Sequence, residues 1–297
     1  MSSTRVTAEQ PWTRPWWKPS EGNGLVFLYI VSIHILTIVG LVLFPIPSWR
    51  VALTALALAS IGGVGTSVCY HRALAHKALQ LNPIVEHILI FFTILNASGE
   101  PITWVANHRN HHSKADTEDD VSSPRHGGFG WAHVRWVYQW SGSDPRRWAP
   151  DLCKPKYQIW QKLQTPIVLL SLFGGGLLFG WQGLFWVGAI RLVYVMHGQM
   201  FVNSLLHMTP GLPEGVDSSR NIWWLGPLQL GAWVENWHRN HHFDAASARF
   251  GRRWWQVDVG WGVIRFLKSL HLAKNVRLPK EIRQRQSAAI ARQAESG

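Results

Sequence analysis

The sequence predicts an all-α membrane protein, with four transmembrane helices in two hairpins and a cytoplasmic helical cap. Three observations predict it. Only 15% of the 297 residues are charged and 47% are hydrophobic, where soluble domains carry about 25% charged residues. Several apolar runs are long enough to cross a bilayer, and many of the 19 Trp border them, as suits residues that favour membrane–water interfaces. Clusters of histidine sit at the ends of those runs, all placed to meet on one side.

The polar, Trp-rich start (1–23) is not expected to be a signal peptide and reads as an interfacial or flexible segment. The first run, 24–46, exceeds the ~20 residues a span needs and ends at a Pro45/Pro47 turn followed by Trp49-Arg50. The second, about 51–70, stops directly before His71. The apolar stretch 84–98 contains Glu86 and His87 and falls short of a typical span. Were it to cross, the histidines on its two sides would be on opposite faces, so it is expected to be an interfacial or protein-covered helix. Two further spans, 166–179 and 183–206, are joined by Gly180-Trp181-Gln182. The two hairpin turns carry Arg50 and no other Lys or Arg, so the charge bias places both termini and the loop 99–165 in the cytoplasm, as in a bacterial inner-membrane protein. The membrane domain then runs 24–280 and a tail 281–297. Arg191, inside the last span, is expected to be structural, paired with Glu86 or with backbone carbonyls.

The net charge of +12 reads as a basic cytoplasmic face, and no nucleic-acid motif accompanies it. Two cysteines are too few for an iron–sulfur cluster.

Nine of the 15 histidines are clustered: His71 and His76 in HRALAH, His108, His111 and His112 in HRNHH, His207 in NSLLH, and His238, His241 and His242 in a second HRNHH. On a helix the three histidines of each HRNHH share a face, and Asn203 is four residues before His207. His71 and His76 lie about 140° apart on an ideal helix, so they need a distorted helix end or a cavity entered from two sides. Nine imidazoles are too many for one ion and suit two. Imidazole binds Fe, Zn, Cu and Ni, and its outer N–H normally needs an acceptor; Glu100, Asp116, Asp119, Asp120, Glu235 and Asp244 are the candidates. His34, His87, His126, His133, His197 and His271 lack such spacing and are expected to be structural.

The three boxes, in this order and spacing, resemble the histidine boxes of the integral-membrane fatty acid desaturases. The resemblance spans roughly 24–279. GEPITWVANHRNHH, with SKADTEDDVSSPRHGGFGWAHV after it, resembles the second-box region of Δ9 acyl-CoA and acyl-lipid enzymes; FVNSLLH resembles a fourth metal-binding motif; ENWHRNHHFDAASARFGRRWWQ and its continuation resemble the C-terminal region of bacterial enzymes. The resemblance implies two Fe ions ligated by the nine clustered histidines, with Asn203 holding a metal-bound water. It implies O2 as co-substrate, a cis double bond, Δ9 in this type, made in a saturated acyl chain on CoA or lipid, and membrane lipid around the enzyme. Electrons would come from an external donor of ferredoxin or cytochrome b5 type. Gln199 and Met200 stand where a Thr-Trp pair is usual, in the region that lines the acyl tunnel; Trp104 and Trp233 are further tunnel candidates. Two other readings stay open. The same site could hydroxylate or form an alkyne on an acyl-lipid or acyl carrier protein. A membrane zinc hydrolase or metal transporter is the rival of another class, although catalytic zinc takes about three protein ligands and transporters bind near the bilayer midplane.

Overall fold

The computed structural model of the chain describes residues 10–213, 215–228, 235–284 and 288. Among the described residues three helical stretches are long and apolar enough to cross a membrane: Gly24–Leu43, Trp49–Ala75 and Pro155–His207. Helix α1 (Gly24–Leu43) ends at Phe44, before Pro45 and Pro47, where the missing N–H groups bar its continuation. Helix α2 (Trp49–Val64) runs without a break into a π-helix, Gly65–Ala75. Leu25, Val42, Leu177 and Leu178 are largely exposed, the pattern of helices whose outer face meets lipid rather than protein.

Helix α3 (Pro83–Leu95) is capped by Asn82, whose side chain accepts from Ile84 N at 2.9 Å. Its 13 residues reach about 20 Å, well short of a ~30 Å hydrocarbon core. Leu89, Ile90, Ile94 and Leu95 are buried, while Ile84 and Ile88 stay exposed. Helix α4 (Pro101–Lys114) follows, held at its start by the Glu100 carboxylate on Ile102 N at 2.6 Å and Thr103 N at 2.8 Å. The π-helix, α3 and α4 enclose the main core, with Val68, Cys69, Tyr70, Ile90, Ile94 and Val105 at its centre.

Helix α5 (Pro155–Gly183) doubles back at Phe179 and Gly180, the latter at φ 62°, a conformation glycine adopts without a Cβ penalty. A second π-helical stretch, Leu184–Ile190, leads into α6 (Arg191–Asn203). The expected spans 166–179 and 183–206 fall on the two arms of this reversal. The arms touch backbone to backbone: a Cβ on Gly175 would lie 2.5 Å from the Gly183 carbonyl oxygen, and one on Gly188 2.3 Å from that of Leu172. The reversal is also tied to the α1–α2 turn, since Ser48 N donates to Gln182 at 3.0 Å and Trp186 Nε1 to Phe44 O at 2.7 Å.

Arg191 is buried and does not pair with Glu86, one of its two expected partners. Its guanidinium donates to Asn96 Oδ1, Ser171 Oγ, Val187 O at 2.7 Å and Leu95 O at 3.4 Å. Glu86 instead accepts from Tyr157 at 2.8 Å and Lys156 at 3.4 Å. Neutral acceptors suffice because they come from three elements at once and saturate a fixed donor fork.

Two small strands, β1 (Gln80–Leu81) and β2 (Ala273–Lys274), pair antiparallel and fasten the C-terminal region beside α3. At the other end, Arg135, Tyr138 and Gln139 hold residues 12–18 through their backbone carbonyls.

The glycine contact predicts a contrast. Gly188→Val should destabilise the protein by roughly 1–3 kcal/mol or more through overpacking, seen as a lower Tm in detergent. Gly174→Ala, whose added Cβ meets only Leu170 Cδ1 at 3.4 Å, should leave Tm unchanged or raise it.

Candidate metal centre

Each histidine is placed by a local backbone device. In the π-helix, His76 N–H donates to His71 O at 3.1 Å. That i→i+5 bond brings residues five apart onto one face, and the two rings lie 4.9 Å apart. This is the distorted helix end that the spacing requires, and π-bulges recur at functional sites. Helix α4 carries His108, His111 and His112 near its end, and a short helix, α7 (His238–Phe243), carries His238, His241 and His242. Asn203 and His207 do not share a continuous helix: α6 stops at Asn203, Ser204 leaves helical geometry, and His207 sits on a 3-10 turn.

The remaining letters of the boxes tie these elements together. Arg109 grips both oxygens of Asp151, at 2.6 and 3.0 Å, and donates to the carbonyls of Leu74, Ala75 and Trp148, locking α4 to the end of the π-helix. Arg72 pairs with Asp258 at 2.9 Å and lies 3.9 Å over the Phe250 ring. Asp258 caps helix α8 (Val259–Ser269).

The nine histidines form two groups. His71, His76, His108, His112 and His241 bring one ring nitrogen each within 4.8 Å of one another, and so do His111, His207, His238 and His242. Each HRNHH is therefore split. In the first, the i/i+4 pair His108 and His112 enters the five-histidine group and His111 crosses to the other. In the second, His238 and His242 enter the four-histidine group and His241 crosses back. The groups adjoin through His112 and His242, whose rings stack at 4.4 Å.

Carboxylates hold the outer nitrogens. His111 Nδ1 lies 2.9 Å from Asp120, His207 Nδ1 3.3 Å from Asp116, His242 Nδ1 2.7 Å from Asp217 and His71 Nδ1 2.5 Å from Glu235. Although burial opposes ionisation, hydrogen bonds and charge from the paired histidines hold Asp116, Asp120 and Asp217 below the usual carboxylate range. Burial pushes Glu235 up to about 8. Burial likewise holds His108, His112, His238 and His241 well below the ordinary imidazole value and His242 near 4. For His111 burial acts in the same direction, but Asp120 outweighs it and the net shift is upward.

Ionised Asp116, Asp120 and Asp217 only accept, so His207, His111 and His242 each donate from Nδ1; His242, held near 4, then points a bare Nε2 inward, whereas the charge of Asp120 favours a second proton on His111. His238 Nε2 lies 2.9 Å from His207 Nε2 and 3.0 Å from His242 Nε2. One N–H can answer only one of them. His241 Nε2 faces the same excess, 2.9 Å from both His71 and His112. Buried lone pairs facing each other call for a cation. Nitrogens bound about 2.1 Å from an ion, at right angles, fall about 3.0 Å apart, which matches the observed spacings. The donor set fits two metal ions.

Among the other expected residues, Trp104 stacks on His108 with centroids 4.9 Å apart. Gln199 donates to Ser98 at 2.7 Å and Thr66 at 3.3 Å. Met200 is half-buried and its carbonyl accepts from Ser204 N at 3.1 Å. Asn203 is half-buried at the end of α6, and Trp233 lies outside the described residues. Three of the six proposed carboxylate partners meet a histidine. Of the others, Glu100 caps α4, Asp119 pairs with Lys114, and Asp244 pairs with Arg252 and Arg283. Asp217 was missed, because a loop residue 25 positions from His242 shares no helical spacing with it. The histidines outside the boxes remain apart from both groups: His34 bonds His197 at 3.0 Å, and His197 bonds His133 at 2.9 Å.

The family model for fatty acid desaturases matches residues 47–265. The chain is 33% identical over 287 residues to Delta-9 acyl-lipid desaturase 1 of Arabidopsis thaliana, covering 94% of this chain and 90% of that one. It is 34% identical over 263 residues to the sn-1 stearoyl-lipid 9-desaturase of Synechocystis, covering 86% and 80%. It is also 34% identical over 282 residues to the icosanoyl-CoA 5-desaturase of Limnanthes douglasii, covering 91% and 76%.

Two imidazole cages predict two metal ions per chain by elemental analysis of purified protein. His238→Ala and His241→Ala should each lower that ratio toward one or below. His271→Ala, at an exposed site away from both groups, should leave it at two.

Proposed function

This chain belongs to the fatty acid desaturase family, and on that footing we propose that it is an O2-dependent di-iron enzyme that makes a cis double bond in a saturated acyl chain carried on lipid or CoA. The observation that carries the reading is the division of nine clustered imidazoles into two adjoining groups. The nine histidines act as iron ligands, five at one position and four at the other, with Asn203 contributing through water. Bound iron, with O2 and two electrons from an external ferredoxin or cytochrome b5 type donor, supplies the power to remove hydrogen from an unactivated methylene.

The chain's own residues supply orientation and exclusion of water. Asp116, Asp120 and Asp217 orient His207, His111 and His242 by accepting from Nδ1, and Glu235 sits against Nδ1 of His71. His71, His111, His207, His238 and His241 are buried, so ions held by them sit out of bulk solvent, as reactive oxidants require. Trp104 beside His108, and Gln199 anchored between Thr66 and Ser98, line the acyl path together with Met200. A chain held there presents one methylene pair to the metals, and that fixed approach sets the bond position.

The topology we propose has four spans in two hairpins, and the domain extends over 24–280. The tie between the 44–48 and 182–186 turns supports both turns lying on one face. In this topology the histidine boxes lie at the opposite ends of the spans, and the basic loops support a cytoplasmic location for that side, with both termini there, in a bacterial inner membrane. The lipid carrier and the Δ9 position are supported by the printed activities of the Arabidopsis and Synechocystis relatives. The Limnanthes relative, a 5-desaturase acting on a CoA ester, marks bond position and carrier as the features that vary.

Expression in a host lacking its own desaturase, followed by mass spectrometry of disulfide adducts of the fatty acids, tests the reading. We expect monounsaturated cis products with the bond at carbon 9, and a loss of at least about 100-fold for His111→Ala, in keeping with removal of a ligand from a cage whose outer partners alone are worth 10–100-fold. A hydroxylated or alkynyl product would overturn desaturation.

A further inference from the structure

We infer that the two metal positions are inequivalent: the four-histidine position binds its ion more tightly and fills first, and the five-histidine position holds the labile ion. The inference rests on the two-ion reading of the site. It comes from how the outer nitrogens are partnered, not from the number of ligands.

At the four-histidine position three of the four ligands are backed by carboxylates: Asp120 behind His111, Asp116 behind His207 and Asp217 behind His242. Asp116 and Asp120 are fully buried, so water does little to screen their charge. Only His238 lacks an acceptor at Nδ1. Each carboxylate raises the basicity of its ligand and adds negative charge behind the cation.

At the five-histidine position one ligand at most, His71, has a carboxyl group behind it, that of Glu235. His76, His108 and His112 meet no carboxylate among the described residues. His241 Nδ1 has no partner, and its ring is held against the Phe250 ring at 4.4 Å. Phe250 is itself pinned beneath the Arg72 guanidinium. Orientation there comes from stacking under a cation, which adds no negative charge.

The fifth imidazole works the other way, so magnitudes decide. Removing one outer partner of a metal-bound histidine costs about 10–100-fold in affinity. Two more carboxylates therefore favour the four-histidine position by about 10²–10⁴-fold, against one additional neutral ligand.

Apoprotein in detergent, titrated anaerobically with cobalt(II) and read by bound metal against free metal, tests this. We expect two resolved steps, one equivalent each, separated by at least 10-fold in affinity. Asp217→Asn, at a half-exposed loop carboxylate, should weaken the tight step about 10–100-fold; Asp120→Asn should do the same. Glu235→Gln should move only the weak step. A size-exclusion profile and Tm equal to the parent's define the variants that count. Two ions of equal affinity, or a tight step that follows Glu235→Gln and ignores both aspartate variants, would overturn the inequivalence while leaving the two-ion reading intact. A total of one equivalent or fewer in the parent protein would instead bring down the two-ion reading itself.

Discussion

The buried imidazole nitrogens that face one another at 2.8–3.0 Å are the constraint on which the rest of this structure depends. Neutral lone pairs at that distance repel unless a proton or a cation lies between them. Behind His207 and His242 a carboxylate holds a proton on Nδ1, and His238 and His241 each face two ring nitrogens that one N–H cannot both answer. Burial further opposes charging the rings. Such a cluster is a poor place for histidine alone and suits divalent cations, so an ion bound there would add its binding free energy to the stability of this region.

Much of the fold exists to bring the four boxes to that point. A π-helix aligns His71 with His76, and Arg109 ties α4 to its end through the carbonyls of Leu74 and Ala75 and to the 148–151 segment through Trp148 and Asp151. Arg72 and Asp258 bring in the C-terminal region. Farther away, contact between the glycine-lined arms of the 155–203 reversal, and the Arg191 fork on Asn96 and Ser171, hold the start of α6 against its neighbours. The boxes thus combine the clustered histidines with the residues that hold those histidines' helices together.

The helical class, the apolar stretches, the turn at Gly180 and the nine histidines were legible in the sequence because hydropathy, glycine and residue type are local signals. The short helix 83–95 was legible by length and parity. The division into five and four was not, since i/i+3/i+4 spacing states which side chains share a face and not which of two groups each one joins. Nor was the π-helix as such: the five-residue spacing of His71 and His76 demanded a distortion without naming it. Asp217 and the neutral partners of Arg191 were hidden because they come from elements distant in sequence. The end of α6 at Asn203 depends on Ser204 leaving helical geometry, which no residue pattern announces.

X-ray absorption at the iron edge of the purified holoprotein tests the cage most directly. The account predicts a nearest-neighbour shell of nitrogen near 2.1 Å, with the outer-ring scattering of about four to five imidazoles per iron and no sulfur. A shell dominated by carboxylate oxygen, or one containing sulfur, would contradict it.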